Sequence, residues 1–183
     1  NIFGYDGPSK VWRKSGTALE AKNLRCTVKH GGGSVMVWGC MAASGVGNMV
    51  FISGKMDKLQ YLEILKQNLK QSVEKLGLPD DYVFQQDNDP KHTAHLVREW
   101  LLYNTRKQLH APPQSPDLNP IEHVWDYLKK NLKNHTISSV ATLKKALIEE
   151  WNRIPSSFTV KLISSMPNRM KDVVNLNGGP TKY

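Results

Sequence analysis

Tyr82-Val83-Phe84-Gln85-Gln86-Asp87-Asn88-Asp89-Pro90-Lys91-His92 and, further on, Pro112-Pro113-Gln114-Ser115-Pro116-Asp117-Leu118-Asn119-Pro120-Ile121-Glu122 form the stretch that decides the fold. Its first half opens with a short run, Tyr82 to Gln86, apolar at Val83 and Phe84, that reads as a buried strand. Asp89-Pro90 then has the form of an N-cap followed by N1 and predicts a helix running to about Tyr103, with Lys91 and His92 in its first turn. Asp89 thus has a capping role. Asp87 has none, and it stands at the carboxyl end of the strand, where open α/β sheets collect ligands. The second half is extended and stiff, because each proline fixes its own φ and biases the residue before it. It delivers Asn119, Pro120, Ile121 and Glu122 as Ncap, N1, N2 and N3 of another helix. An N3 Glu serves in a capping box, and it can also be a metal ligand whose pKa the helix terminus depresses. Asp87 and Glu122, with 34 residues between them, therefore leave two different rigid elements. Such a pair suits a divalent metal, since Mg²⁺ takes few protein carboxylates and fills the remaining positions with water and phosphate.

The elements upstream follow from periodicity. Leu59, Leu62, Leu65, Leu69, Val73 and Leu76 recur on one helical face, with Asp57 as N-cap and Gly77 as stop; the stripe reads as core packing. Before it, Val35 to Met41 and Asn48 to Ser53 read as strands joined through Ser44-Gly45-Val46-Gly47, a hairpin signal. Lys29-His30-Gly31-Gly32-Gly33-Ser34 either brings backbone close to a phosphate or forms a flexible turn. No helix follows the glycines and no GK[ST] is present, so this is not a nucleotide-binding loop. Lys10 to Lys14 reads as a short strand, with Arg13 and Lys14 as phosphate contacts or as solvated strand ends. Asp6, within a Gly-Tyr-Asp-Gly-Pro turn, is a substitute carboxylate or a turn residue bonding its own backbone.

Downstream, Gln108 to Ala111 reads as a brief strand. Ile121, Val124, Trp125, Leu128 and Leu132 form the buried face of the helix that carries Glu122. Lys129, Lys130 and Lys133 further along that helix form a phosphate-binding edge or a solvated basic face. Val140, Leu143, Leu147, Trp151 and Ile154 share the face of a further helix, capped by Ser138 or Ser139 and stopped by Pro155. Phe158 to Val174 is also helical in period, but Pro167 should kink or divide it. Strands, helix, strand, helix, strand and then helices make an α/β fold with a mixed sheet and additional C-terminal helices.

Composition narrows the function. The chain of 183 residues suits a single domain, and its 39% hydrophobic and 22% charged residues are those of a globular protein. No apolar run reaches the roughly 20 residues that span a bilayer, so no membrane partner is expected. Cys26 and Cys40 make neither a disulfide framework nor a zinc pattern; Cys40 reads as a small buried hydrophobe, and a reducing compartment fits. A net charge of +9 points to a polyanionic partner, nucleic acid first among them. An acidic pair inside a basic domain is the charge arrangement for binding metal and phosphate together.

The pieces FQQDNDPKHTA (residues 84–94), SPDLNPIEHVW (115–125), VWRK (11–14), KHGGGSVMVWGC (29–40) and the terminal GGPTKY (178–183) resemble, in order, the Tc1-like branch of the Tc1/mariner DNA transposases. The resemblance covers essentially the whole chain. It implies an RNase H-like catalytic core with three acids, Asp, Asp and Glu, of which Asp87 and Glu122 match the second and third. The first is expected just upstream of Asn1, as are the strand that carries it and the amino-terminal DNA-binding region. The GGPTKY tail resembles the family's carboxyl end. The implied activity is cut-and-paste transposition, by cleavage and transfer of DNA strands on two Mg²⁺ ions for which Mn²⁺ can substitute. The implied partners are double-stranded DNA, both terminal repeat and target, and a second copy of the chain; the implied compartment is the nucleus. Lys29, His30, Lys91 and His92 join Arg13, Lys14, Lys129, Lys130 and Lys133 as expected DNA contacts. The alternative is a transposase-derived DNA-binding or scaffolding protein without catalysis; an unrelated RNase H-like nuclease fits the motifs less well.

Overall fold

The computed structural model describes residues 35–112 and 115–179. Strands β1 (Met36–Ala42) and β2 (Gly45–Ile52) form an antiparallel hairpin. Its turn is shorter than the glycines predict: Ala42 pairs with Gly45 across Ala43-Ser44, so Gly45 to Gly47 are already strand. Helix α1 (Lys58–Lys75) follows, then β3 (Val83–Gln86), α2 (His95–Asn104) and β4 (Lys107–His110). After a 3₁₀ turn at Pro116–Leu118 come α3 (Ile121–Asn131), α4 (Val140–Asn152) and α5 (Ser156–Asn175). Strand β4 lies parallel to β3, in register from Val83 opposite Lys107 to Gln86 opposite His110. Among the described residues the strands therefore pair two by two, as one antiparallel and one parallel sheet.

The helix ends are set by local chemistry. Asp57 caps α1 by accepting from the backbone N–H of Leu59 and Gln60. At the other end Gly77, at φ +60°, closes a Schellman turn: its N–H bonds to Glu74 O, and the Leu78 N–H bonds to Val73 O. Ser139 caps α4 in a capping box with Thr142. Helix α5 continues through Pro167, so the proline does not divide it. Its two halves are tied down separately: Thr159 donates to Ala43 O, and Arg169 donates to Asp117 O.

The hairpin is covered on both faces, and the two cores lie on either side of it. Trp38 faces a cluster built from Tyr61, Leu62, Leu65 and Leu69 of α1 with Val97 and Leu101 of α2. Val37, Met41, Val46, Met49 and Phe51 face a larger cluster of Val124, Leu128, Leu132, Leu143, Leu147 and Trp151. This alternation follows from the period of a strand, in which successive side chains point to opposite faces. Two glycines permit the close packing. A Cβ at Gly39 would stand 2.7 Å from the Trp151 ring, which stacks on Trp125. A Cβ at Gly47 would stand 2.5 Å from Cys40 Sγ and 2.7 Å from Ser72 Cβ on α1. The Gly47 carbonyl in turn accepts from Trp151 Nε1 at 3.0 Å, so the hairpin is bonded as well as packed. Cys40 is a half-buried free thiol whose pKa burial pushes up, in keeping with a packing role.

Three residues expected in the core lie at its margin. Leu59, Val83 and Val140 are all exposed, each at the first or second position of its element, before the packed part begins. Among the described residues no helix is long and apolar enough to cross a membrane. Gly47→Ala should destabilise the fold by about 1–3 kcal/mol, the usual cost of forcing a methyl group into a filled core. Urea unfolding measures it, and an unchanged midpoint would contradict the packing described for β2 against α1.

Candidate metal and nucleic-acid site

Each residue of Gln85-Gln86-Asp87-Asn88-Asp89 has a separate position. Gln85 Nε2 donates to Leu118 O at 3.3 Å, tying β3 to the 3₁₀ turn that leads into α3. Gln86 Oε1 accepts from the Tyr61 hydroxyl at 2.7 Å, and its Nε2 donates to His92 O at 3.0 Å. Asn88 Nδ2 donates to Ala111 O at 2.7 Å, at the end of β4. Asp89 accepts from the Lys91 N–H through Oδ1 and pairs with Lys91 Nζ through Oδ2 at 2.7 Å. Asp87 is left at the rim, its side chain 53% exposed.

Asp89 caps a turn of its own and not α2. Its carbonyl accepts from the N–H groups of His92 and Thr93, and α2 begins only at His95, after Ala94. Lys91 and His92 therefore lie in that turn, ahead of the helix. The turn carries the His92 ring back toward β3. There Nδ1 hydrogen-bonds Asp87 Oδ1, and the ring stacks on Tyr61 with centroids 3.9 Å apart. The His92 side chain is only 15% exposed and its Nε2 is buried without a partner among the described residues. The ring is thus engaged with Asp87 and Tyr61.

Glu122 enters from α3. Pro120 stands at the helix start with helical backbone angles, one residue later than Asn119 as the expected cap, and no side chain caps this end. The Pro-rich approach is partly helical: Pro116–Leu118 makes a 3₁₀ turn that buries Leu118. Arg169 of α5, 1% exposed, holds it from behind, donating to Asp117 O at 2.7 Å and contacting His123 Nε2 at 2.9 Å. Nothing in the sequence marks Arg169 or Tyr61 as part of a site; a guanidinium in a polar helix and a tyrosine in an apolar stripe have ordinary explanations.

Asp87 and Glu122 both line a cleft of about 1380 Å³ walled by β1, β3, α1 and the start of α3. Both also line an adjoining cavity of about 420 Å³ between the ends of β3 and β4. The two carboxylates thus stand at the wall common to both spaces. Lys91 and Lys129 line the larger cleft, whereas Lys130 and Lys133 are exposed outside it. Arg13, Lys14, Lys29, His30, Asp6, Cys26 and the three glycines lie outside the described residues.

The acids differ electrostatically. The His92 hydrogen bond pulls the Asp87 carboxyl below its ordinary range against the effect of burial, aided by the Asp89 N–H. Burial pushes the Glu122 carboxyl up, with Lys129 opposing and the charges of Asp126 and Asp87 adding. The helix terminus does not win at Glu122, contrary to the expected depression. Among the described residues no three His, Cys, Asp or Glu side chains converge. Two hard oxygen donors beside open space fit a divalent ion that keeps water or phosphate ligands, and do not fit a closed protein cage.

A family model described as DDE superfamily endonuclease matches residues 7–144. The chain is 44% identical over 184 residues to the Tc1 transposase of Caenorhabditis elegans, covering 100% of this chain and 67% of that protein. Among solved structures, that of the Mos1 transposase catalytic domain and raltegravir with Mn superposes with a TM-score of 0.72 at 23% identity, over 81% of this chain and 78% of the other. The Mos1 transposase paired-end complex with left transposon end gives a TM-score of 0.75 at 21% identity, over 95% and 52%. At these identities the structural likeness establishes the fold, which is RNase H-like with extra helices, as expected from the sequence.

The two acids should respond oppositely to neutralisation in metal-free buffer at pH 7. The stability that Asp87 contributes is present above its unfolded pKa and lost as pH falls through the lowered folded value, so Asp87→Asn lowers the melting temperature. Glu122 favours the folded state only while protonated, and that stability is lost as pH rises through its raised folded pKa, so Glu122→Gln raises the melting temperature. Each change amounts to no more than about 1 kcal/mol, because both carboxylates remain partly solvated. Shifts of the same sign in the two variants would contradict these environments.

Proposed function

The chain belongs to the DDE superfamily endonucleases and, within it, to the Tc1-like transposases, and we propose that residues 1–183 form the catalytic domain of a cut-and-paste DNA transposase. The observation that carries this reading is that Asp87 and Glu122, from two separate elements, both line one cleft with lysines at its edge. The reaction is phosphoryl transfer on DNA: cleavage at the ends of a transposable element, then joining of the freed strand to target DNA. Asp87 and Glu122 would hold Mg²⁺, or Mn²⁺ in its place, with two ions in the full site. When bound, the metal polarises the scissile phosphate and activates the attacking water or 3′-hydroxyl.

The chain's own residues supply position and field. Among the described residues both hydrogen bonds to Asp87 fall on Oδ1, from the Asp89 N–H and from His92, and none falls on Oδ2. Glu122 is carried to the cleft by the first turn of α3. Lys91 and Lys129 draw phosphates toward the acids, and Lys130 near the end of α3 and Lys133 in the turn after it extend the basic edge. Such contacts fix the register of a duplex and carry no sequence information. Terminal-repeat DNA, target DNA and a second copy of the chain are the proposed partners. The Mos1 complex with a transposon end supports the DNA assignment, and pairing two ends calls for two active sites. The nucleus, where chromosomal DNA lies, is the proposed compartment.

In the full-length protein, Asp87→Asn and Glu122→Gln should each reduce Mg²⁺-dependent strand cleavage to background, with DNA affinity preserved within about threefold, since phosphate contacts dominate binding. Gel assays of cleavage and of binding on the same substrate measure both. Cleavage retained in either variant contradicts the reading. DNA binding without cleavage in the unaltered protein favours a transposase-derived scaffold.

A further inference from the structure

The residues around Asp87 form a closed loop of contacts whose purpose is not explained by folding alone. The Tyr61 hydroxyl on α1 donates to Gln86 Oε1 at 2.7 Å; Gln86 Nε2 donates to His92 O at 3.0 Å; and the His92 ring returns to lie on the Tyr61 ring, 3.9 Å away. One edge of that ring is bonded to Asp87. The other, Nε2, is the one buried side-chain nitrogen or oxygen without a hydrogen-bond partner among the described residues. Leaving a buried polar atom unpaired is destabilising. An aromatic without nitrogen would stack on Tyr61 as well and avoid that cost. Only the bond from Nδ1 to Asp87 Oδ1 requires a histidine here.

We propose that His92 is a positioning residue for the metal-facing carboxylate, held by Tyr61 and Gln86 so that Nδ1 fixes Asp87 through Oδ1 and leaves Oδ2 for the metal. This rests on Asp87 being a metal ligand, and it adds the device that orients it. The Asp89 N–H reaches the same Oδ1 at 3.1 Å, so the carboxylate is held by two donors on one oxygen and can turn neither way. A ligand oxygen oriented before the metal arrives loses less freedom on binding, and removing such a partner commonly weakens metal affinity about 10–100-fold. The clamp also couples α1 to the site: Tyr61 is 2% exposed, and burial pushes its hydroxyl pKa well above the ordinary tyrosine range, so it remains a donor.

The two nitrogens of the ring can be tested separately. An asparagine amide nitrogen sits where Nδ1 does, and a glutamine amide nitrogen reaches to where Nε2 does. Mn²⁺ affinity of the full-length protein, read by electron paramagnetic resonance of the free ion, is the measurement, with the melting temperature recorded for each variant. His92→Asn should bind Mn²⁺ within about threefold of the unaltered protein, and His92→Gln should bind about 10–100-fold more weakly. Glutamine binding as tightly as asparagine overturns the proposal. Tyr61→Phe keeps the stacked ring and loses the hydroxyl; it should weaken Mn²⁺ binding severalfold, and unchanged affinity would remove Tyr61 from the clamp and contradict it. Asp87→Asn separates the two readings. If it binds Mn²⁺ as the unaltered protein does, the metal assignment fails; if it does not while glutamine and asparagine behave alike at position 92, only the clamp fails.

Discussion

Two adjacent backbone carbonyls, Asp117 O and Leu118 O, hold the functional half of the structure together. Leu118 O accepts from Gln85, two residues before Asp87, and Asp117 O accepts from the buried Arg169 on α5. One peptide segment is therefore gripped from the strand that carries one acid and from the helix that closes the domain. It is also the segment that leads directly into α3 and Glu122. A carboxylate pair separated by 34 residues in sequence needs such a junction. Elements joined only by apolar packing can slide or rotate at small cost, whereas hydrogen bonds with directional geometry fix register. Arg169 is costly to bury, and that cost is met by polar partners on three elements: Asp117 O, His123 and Ser165. Removing the guanidinium would leave a void and unpaired acceptors behind the helix that aims Glu122.

Much of the fold was legible because it depends on local chemistry. Asp57, Gly77 and Ser139 end or begin helices through bonds within a few residues of themselves, and each was readable as such. The stripe from Leu62 to Leu69 and the face from Val124 to Leu132 repeat with the helical period. The errors have a common physical origin. Leu59, Val83 and Val140 fit their stripes but lie at element starts, where a periodic position need not reach the core. Pro167 is a signal for a kink or a division, yet α5 spans it, with Thr159 and Arg169 anchored on either side. The start of α2 was placed at Asp89 because Asp-Pro is a good capping signal; Asp89 spends its acceptors on the turn that swings His92 back to Asp87.

The site was legible in its acids and not in their surroundings. Position marks Asp87 past a strand and Glu122 at a helix start, and the family motifs around them decide for a ligand role over the capping role that position alone leaves open at Glu122. Tyr61, Gln86, His92 and Arg169 acquire meaning only when three or four elements meet. The opposite electrostatic environments of the two acids are likewise tertiary. Local reasoning at Glu122 sees a helix terminus, which favours the anion; the folded chain adds burial and two neighbouring acids, which disfavour it more. The consequence is a divided site. Asp87 is held ionised and oriented without metal, while Glu122 gains most when a cation arrives to offset the charge beside it.

In the proposed function the two carboxylates, which line one cleft, face a single cation-binding space. Carbon-detected NMR of the side-chain carboxyl groups during addition of trace Mn²⁺ tests it directly, because paramagnetic broadening falls steeply with distance. The Asp87 and Glu122 carboxyl signals should broaden first and together, while those of Asp81 and Glu63, which do not line the cleft, remain sharp. Broadening of one without the other, or spread evenly over the surface acids, would contradict it.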